Sequence, residues 1–372
     1  MHINAHFDGG NIEVLSCTDP QNILLNIRKD TQSEFLQWFS FVLYAPKGTN
    51  IHINIQNAHA TSYIPGWQNY RARYSYGEDL WYQADTEYDG GLHITHTMQA
   101  DMVSFAYFAP YSLSRHKKTL QFAQKNGAAL HCLGTSIQGR SMDLLRAGSG
   151  PYQIWLIARQ HPGETMAEWW MEGFIEKVLD PFDARSQELL HKATFHMVPN
   201  MNPDGSFLGN LRTNAVGSNL NREWLHPQED RSPEVLWVRN EMHNTRVDFA
   251  LDIHGDEGLP YNFFAGPEGI PSYDKRKKKI YKTFTQHLLD RCPDFQTAYG
   301  YPKTPPGRAN LAIASNYIAE IFDCVAITIE QPFKDSAITP MPKWGWSPQR
   351  AKKFGATTLD ALHSLLNQEE LR

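Results

Sequence analysis

The chain has 372 residues, 41% of them hydrophobic, with 35 Lys+Arg against 40 Asp+Glu and a formal charge of -5. That length allows two domains, the charge offers no general footprint for nucleic acid or anionic membrane, and no apolar run approaches the roughly 20 residues that span a bilayer. The opening stretch from Met1 to Asp8 lacks a basic region followed by an apolar core, and Cys17, Cys132, Cys292 and Cys324 are scattered without a C-x-x-C, so neither a secretory signal nor a disulfide framework nor a sulfur-ligated metal is expected, and a cytoplasmic location is.

Residues 1–112 read as strands separated by turns. Alternating or β-rich runs fall at Ile23–Arg28, Leu36–Tyr44, Ile51–Gln56, Tyr70–Tyr76, Leu92–Met98 and Met102–Phe108, with Gly, Pro, Asn and Asp between them. An N-terminal antiparallel β-sandwich fits this texture. Its aromatics, among them Trp67, Tyr70, Tyr74, Tyr76, Trp81 and Tyr82, fill a sandwich core or form a binding surface.

From residue 113 onward helices and strands alternate. A helix is expected around Ser114–Asn126, then strands at Gln153–Ala158, Thr194–Pro199, Phe249–His254 and Val325–Glu330. Helices follow near Thr165–Val178, Ser232–Thr245, Ser272–Arg291, Leu311–Phe322 and Pro348–Gln368. Such alternation marks an α/β/α domain over 113–372 with a mixed, largely parallel central sheet. Ligands of such sheets collect at the carboxyl ends of the strands.

The strand Gln153–Ala158 delivers His161 and Glu164 to the start of a helix. A neutral imidazole and a carboxylate three residues apart can reach one ion, and zinc takes such ligands while keeping a position open for water. The spacing alone is weak, because His226/Glu229 and His254/Glu257 repeat it. Context separates them: His226 and Glu229 lie in a polar, proline-containing loop, whereas His161 and His254 follow apolar strands. Zinc lowers the pKa of a water, but a base must still accept its proton. Glu330 ends the apolar strand that begins at Val325, where a charge is costly unless it opens into a cleft.

Between these strands lie Asn202-Pro203-Asp204-Gly205, Arg212, and Asn219-Leu220-Asn221-Arg222. The first is a turn signature, with proline fixing φ and glycine allowing positive φ. Arginines delivered after it can polarise a carbonyl and steady its oxyanion, or clamp a carboxylate by paired charge-assisted hydrogen bonds.

Taken in order, His161-Pro-Gly-Glu164, Asn202-Pro-Asp-Gly205, Leu220-Asn-Arg222, the lone His254 and the strand-terminal Glu330 resemble the M14 zinc carboxypeptidases. Ile27-Arg-Lys-Asp30, Gln37-Trp-Phe-Ser-Phe41 and Phe105-Ala-Tyr-Phe-Ala-Pro-Tyr111 resemble the N-terminal domain of their cytosolic carboxypeptidase branch. The resemblance implies one zinc per chain, bound by His161, Glu164 and His254, with Glu330 as general base and acid. It further implies Arg212 at the oxyanion, and Asn221 with Arg222 on the substrate's C-terminal carboxylate. Arg308, in Pro305-Pro-Gly-Arg308, resembles the basic residue that meets an acidic C-terminal side chain, and Tyr299 or Tyr301 the tyrosine that covers the substrate.

The chain also departs from the pattern. Asn219 stands where an aspartate would orient a zinc histidine, and an amide oxygen raises ligand basicity less than a carboxylate does. The segment before Glu330 is lengthened. Lys275-Arg-Lys-Lys-Lys279 opens a helix as a solvated basic face or a dock for an acidic tail, while Met166, Trp169, Trp170 and Phe174 are expected to pack against the sheet. The function expected is removal of C-terminal residues, acidic ones by preference, from peptides or proteins, with no nucleic-acid or membrane partner. The alternatives are a zinc amidohydrolase acting on N-acyl amino acids or small amides, and a catalytically weak peptide-binding protein.

Overall fold

Inward-facing residues of the first strands set the architecture of the N-terminal part. In Asn50–Ile55, Ile51, Ile53 and Ile55 are buried while the residues between them are half-buried or exposed, the period-2 pattern of a strand with one covered face. The computed structural model, which describes residues 1–77, 79–368 and 371, places ten such strands in two five-stranded sheets. One runs His2–Asn4, Ser40–Tyr44, Met102–Ala106, Arg73–Ser75, Tyr82–Gln83; the other runs Glu13–Ser16, Ile23–Asn26, Asn50–Ile55, Leu92–Thr97, Asp85–Tyr88. Pairing is antiparallel except between Ile23–Asn26 and Asn50–Ile55, which is parallel. Tyr70 and Trp67 are buried in the shared core, while Tyr74, Tyr76 and Tyr82 remain half-buried.

The helix Leu113–Lys125, capped by the Ser112 side chain on the Arg115 N–H, leads into a seven-stranded sheet. Its four central strands, in the order Ala193–Val198, Tyr152–Ala158, Phe249–Ile253, Val325–Glu330, are parallel. Antiparallel strands complete both edges: Ser141–Ala147 and Ala129–Thr135 on one side, Phe263–Ala265 on the other. Both faces are covered, which is why the central strands are almost continuously apolar. Ile154, Leu156, Leu251 and Ile327 enter one core, which continues into the N-terminal sheets. Trp155, Ile157, Ala250 and Ala326 enter a second core with helices Pro233–Thr245 and Ala314–Ile321.

Helix Met166–Val178 is buried on nearly every side, including Met166, Trp169, Trp170 and Phe174. It meets helix Pro348–Asn367 backbone to backbone: a Cβ on Gly173 would lie 2.0 Å from the Lys352 carbonyl oxygen, and one on Gly355 equally close to that of Trp170.

Two local expectations are corrected. Asn202-Pro-Asp-Gly205 does not form a turn; it starts the helix Pro203–Leu208, with the Asn202 side chain accepting the Gly205 N–H. The same residues serve as an N-cap asparagine followed by proline in the first turn. Gly205 is required for closeness, because a Cβ there would meet the Thr213 carbonyl at 2.5 Å. Lys277, inside the expected solvated run, is buried and ion-paired with Asp323. No helix among the described residues is long and apolar enough to cross a membrane.

Candidate metal centre

The three parallel strands Tyr152–Ala158, Phe249–Ile253 and Val325–Glu330 are in register, so their carboxyl ends lie side by side. Each ends in chemistry. After Ala158 the backbone turns through Arg159 at φ +59°, a conformation that a non-glycine residue adopts at a cost of about 1 kcal/mol or more. Arg159 is fixed there by its guanidinium, which donates to the carbonyls of Pro162 (2.9 Å) and Tyr111 (2.8 Å) and to Glu168 (2.7 Å). The reversal aims His161 back over the sheet end.

His161, Glu164 and His254 are all buried, and their ligand atoms lie within 4.8 Å of one another. His161 Nδ1 is 2.6 Å from Glu164 Oε1, His254 Nδ1 is 2.8 Å from Glu164 Oε2, and the two Nδ1 atoms are 3.2 Å apart. The outer ring nitrogens are held as well. His161 Nε2 meets Asn219 Oδ1 at 3.1 Å, and His254 Nε2 meets Asp252 Oδ1 at 3.0 Å. Each outer contact turns the Nδ1 lone pair inward. Gln160 reinforces the second one, donating to both Asp252 oxygens at 2.9 Å. Two imidazole nitrogens and a carboxylate are a donor set that suits zinc, so the residues fit the metal.

The electrostatics agree. Burial, and then Arg212, push His161 down to about 4. Burial also opposes charge on His254, but Asp252 and Glu164 outweigh it and draw its pKa well above the usual range. Glu330 is buried, and its Oε2 has no hydrogen-bond partner among the described residues. Desolvation, together with the charges of Glu164, Asp256 and Glu257, drives its pKa up. Four carboxylates crowded at one rim create a negative field that a divalent cation would relieve.

The rim opens into a cavity of about 1340 Å3. His161, Glu164, His254 and Glu330 line it, together with Arg212, Asn221 and Arg222. Asn221 is anchored by its Oδ1 on the Ala314 N–H, 2.9 Å away. Arg222 donates to the Asn221 carbonyl at 2.6 Å. Arg308 is exposed in a turn closed by its N–H on the Pro305 carbonyl (3.1 Å), outside the cavity lining, whose basic residues besides Arg212 and Arg222 are Lys278, Lys282 and Lys303. Tyr299 and Tyr301 both line the cavity, but they differ in setting. Tyr299 stacks on Tyr261 at 4.5 Å, whereas the Tyr301 hydroxyl donates to Asp256 Oδ2 at 2.6 Å. Burial and then Glu330 hold that phenol in its protonated form.

Several participants escaped the sequence reading. For Asp252 the missed signal was a carboxylate inside an otherwise apolar strand. Glu257 was visible only as the partner of His254 in a repeated His-x-x-Glu spacing, and Gln160 and Tyr63 carried no pattern of their own.

Comparisons with known proteins complete this picture. The sequence model of the zinc carboxypeptidase family M14 matches residues 115–332, and that of the cytosolic carboxypeptidase N-terminal domain matches residues 3–108. An uncharacterised protein of Zymomonas mobilis is 49% identical over 99% of this chain and 97% of its own length. Cytosolic carboxypeptidase 6 of Mus musculus is 28% identical over 72% of this chain, which spans 55% of that protein. The metallo-carboxypeptidase from Pseudomonas aeruginosa in complex with (2-guanidinoethylmercapto)succinic acid superposes with a TM-score of 0.96 at 45% identity, covering 100% of both chains. The chain belongs to the M14 family of zinc metallocarboxypeptidases, in its cytosolic carboxypeptidase-like branch.

Proposed function

We propose that the chain is a zinc-dependent exopeptidase that releases the C-terminal residue of peptides or proteins, with residues 1–112 as a sandwich domain and 113–372 as the catalytic domain. The observation that carries this reading is the convergence of a His–Glu–His donor set, a buried carboxylate whose Oε2 has no partner among the described residues, and two arginines on one cavity. His161, Glu164 and His254 would hold one zinc ion. When bound, zinc supplies a Lewis acid that lowers the pKa of a water.

The chain's own residues do the rest. Glu330 takes a proton at its free Oε2 and later passes it to the leaving amine, as one group acting first as base and then as acid. Arg212 donates to the oxygen on which negative charge develops. Asn221 and Arg222 receive the substrate's terminal carboxylate, which restricts cleavage to the last bond. Tyr301 closes the cavity and keeps water from competing.

Lys278, Lys282 and Lys303 in the lining favour acidic C-terminal residues. A second reading, basic C-terminal residues, draws on Glu268 in the same lining and on the guanidino ligand of the Pseudomonas aeruginosa relative. Mass spectrometry of peptides with systematically varied last residues, with and without chelator, tests both. Chelator-sensitive release of single C-terminal residues is expected, with the favoured side chain reporting the sign of the pocket. Turnover of N-acyl amino acids without release from any peptide would defeat the exopeptidase reading.

A further inference from the structure

The N-terminal sheets reach into the catalytic machinery at one buried carboxylate. Asp30 is 3% exposed. It accepts the N–H groups of Leu211 (2.6 Å), Arg212 (2.7 Å) and Thr213 (2.9 Å), and the Thr213 hydroxyl at 3.1 Å. Three successive peptide dipoles and a hydroxyl thus converge on one charge, and Arg212 is the middle residue. Neighbours extend the grip. The Thr31 N–H donates to Asn210 Oδ1 at 3.0 Å, and the Asn11 amide donates to the Gly209 carbonyl at 2.8 Å.

The same loop is tied to the metal turn. Gly163, between His161 and Glu164, donates its N–H to the Leu211 carbonyl at 2.8 Å. A Cβ there would meet that oxygen at 2.9 Å. Further out, the Arg212 guanidinium lies 5.5 Å from the Phe35 ring centroid and 5.7 Å from that of Tyr63. Both rings come from the N-terminal part, and Tyr63 lines the cavity.

We propose that Asp30 is the positioning residue for Arg212, with the Phe35 and Tyr63 rings seating its guanidinium. The sandwich is then a working part of the active site and not an appended recognition module. This rests on Arg212 acting at the oxyanion. A donor contributes there only if it is already in place when charge develops, so a backbone shift well under an ångström is felt in the rate. Asparagine at position 30 would turn an NH2 toward at least one of the N–H donors that the carboxylate now receives, loosening residues 211–213 while all three metal-ligand side chains stay in place chemically unchanged.

The test uses the zinc-loaded full chain with Asp30→Asn, Arg212→Ala and the double variant, measured on a peptide that the wild type cleaves. Asp30→Asn should keep full zinc content and a KM within about twofold, while kcat falls about 10- to 100-fold, less than the roughly 100- to 1000-fold for removing the donor itself. A phosphonate analogue of the scissile peptide should bind more weakly by the same factor as kcat/KM falls. The double variant should be no slower than Arg212→Ala by more than about twofold, because both changes remove one function. Losses that multiply would overturn the coupling while leaving the role of Arg212 intact. Full kcat in Arg212→Ala would overturn the oxyanion reading itself, and this proposal with it. Should Asp30→Asn fail to fold, Phe35→Leu serves in its place: a severalfold loss of kcat that vanishes in the Arg212→Ala background supports the proposal, and one that persists there refutes it.

Discussion

At the scale of single residues, the site separates ligands from the groups that tune them. Glu330 touches no described hydrogen-bond partner through Oε2, so Glu330→Gln changes charge with little change of shape. The variant should bind zinc stoichiometrically by elemental analysis yet lose about 100- to 10,000-fold in kcat, the usual contribution of a positioned base. Full activity would remove Glu330 from the mechanism. Asn219 gives the complementary case. Its Oδ1 already faces His161 Nε2 at 3.1 Å, so Asn219→Asp places a charge on an existing contact. Zinc affinity, read by competition with a chromogenic chelator, should tighten by about 10-fold, the lower end of what such outer partners contribute. Glu330 was legible because it ends an apolar strand, and Asn219 because it stands where the resembled family carries an aspartate. Arg308 was not, since a turn of Pro-Pro-Gly-Arg carries no information about which way it faces. Asp30 stood inside a stretch resembling the N-terminal domain, but no pattern linked it to Arg212 across 181 intervening positions.

Elements with a strong period were found from the sequence, and elements held by tertiary contact were missed. The central strands Tyr152–Ala158, Phe249–Ile253 and Val325–Glu330 were legible as apolar runs. The edge strand Ala129–Thr135, mostly exposed with no alternation, had nothing to announce it. Helix Leu113–Lys125 was expected, but not how it is fastened. Its His116 lies with Nδ1 2.5 Å from Glu168 Oε1 and Nε2 3.2 Å from Asp143 Oδ2, joining three elements through one ring. Burial works against its charge, yet the two carboxylates prevail and raise its pKa to about 9 from 6.5. The folded value exceeds the unfolded one, so His116 adds stability that is complete below pH 6.5 and lost as pH rises through about 9. At most the effect is about 3 kcal/mol. Denaturant unfolding of wild type and His116→Gln should therefore differ most near pH 6, with the gap closing toward pH 10. A gap that stays constant across that range would show that His116 is neutral in the folded chain.

For the molecule as a whole, the question is whether the sandwich and the catalytic sheet are two bodies or one. A single apolar core runs from Ile12 to Leu371 through both, and Tyr107 stacks on Phe333 at 4.5 Å where they meet. Two buried cations fasten the same seam. Lys334 donates to the carbonyls of Pro65 (3.2 Å) and Gly258 (3.1 Å). Arg73, which is 1% exposed, donates to the carbonyls of Phe333 (2.8 Å) and Trp346 (3.3 Å) and to Gln83 Oε1 (2.8 Å). Removing such a donor strands its acceptors, at roughly 1–3 kcal/mol for each one left dry. Because Phe333 lies three residues beyond Glu330, the seam also supports the strand end that carries the base. Calorimetry of the intact chain should show one cooperative transition, and Arg73→Leu should lower its midpoint by roughly 5 °C while keeping it single. Two resolved transitions in the wild type, with only one of them moved by Arg73→Leu, would mean that the sandwich folds and melts independently. Its contribution to the active site would then have to survive without shared stability, which a carboxylate as deeply buried at the junction as Asp30 makes physically difficult.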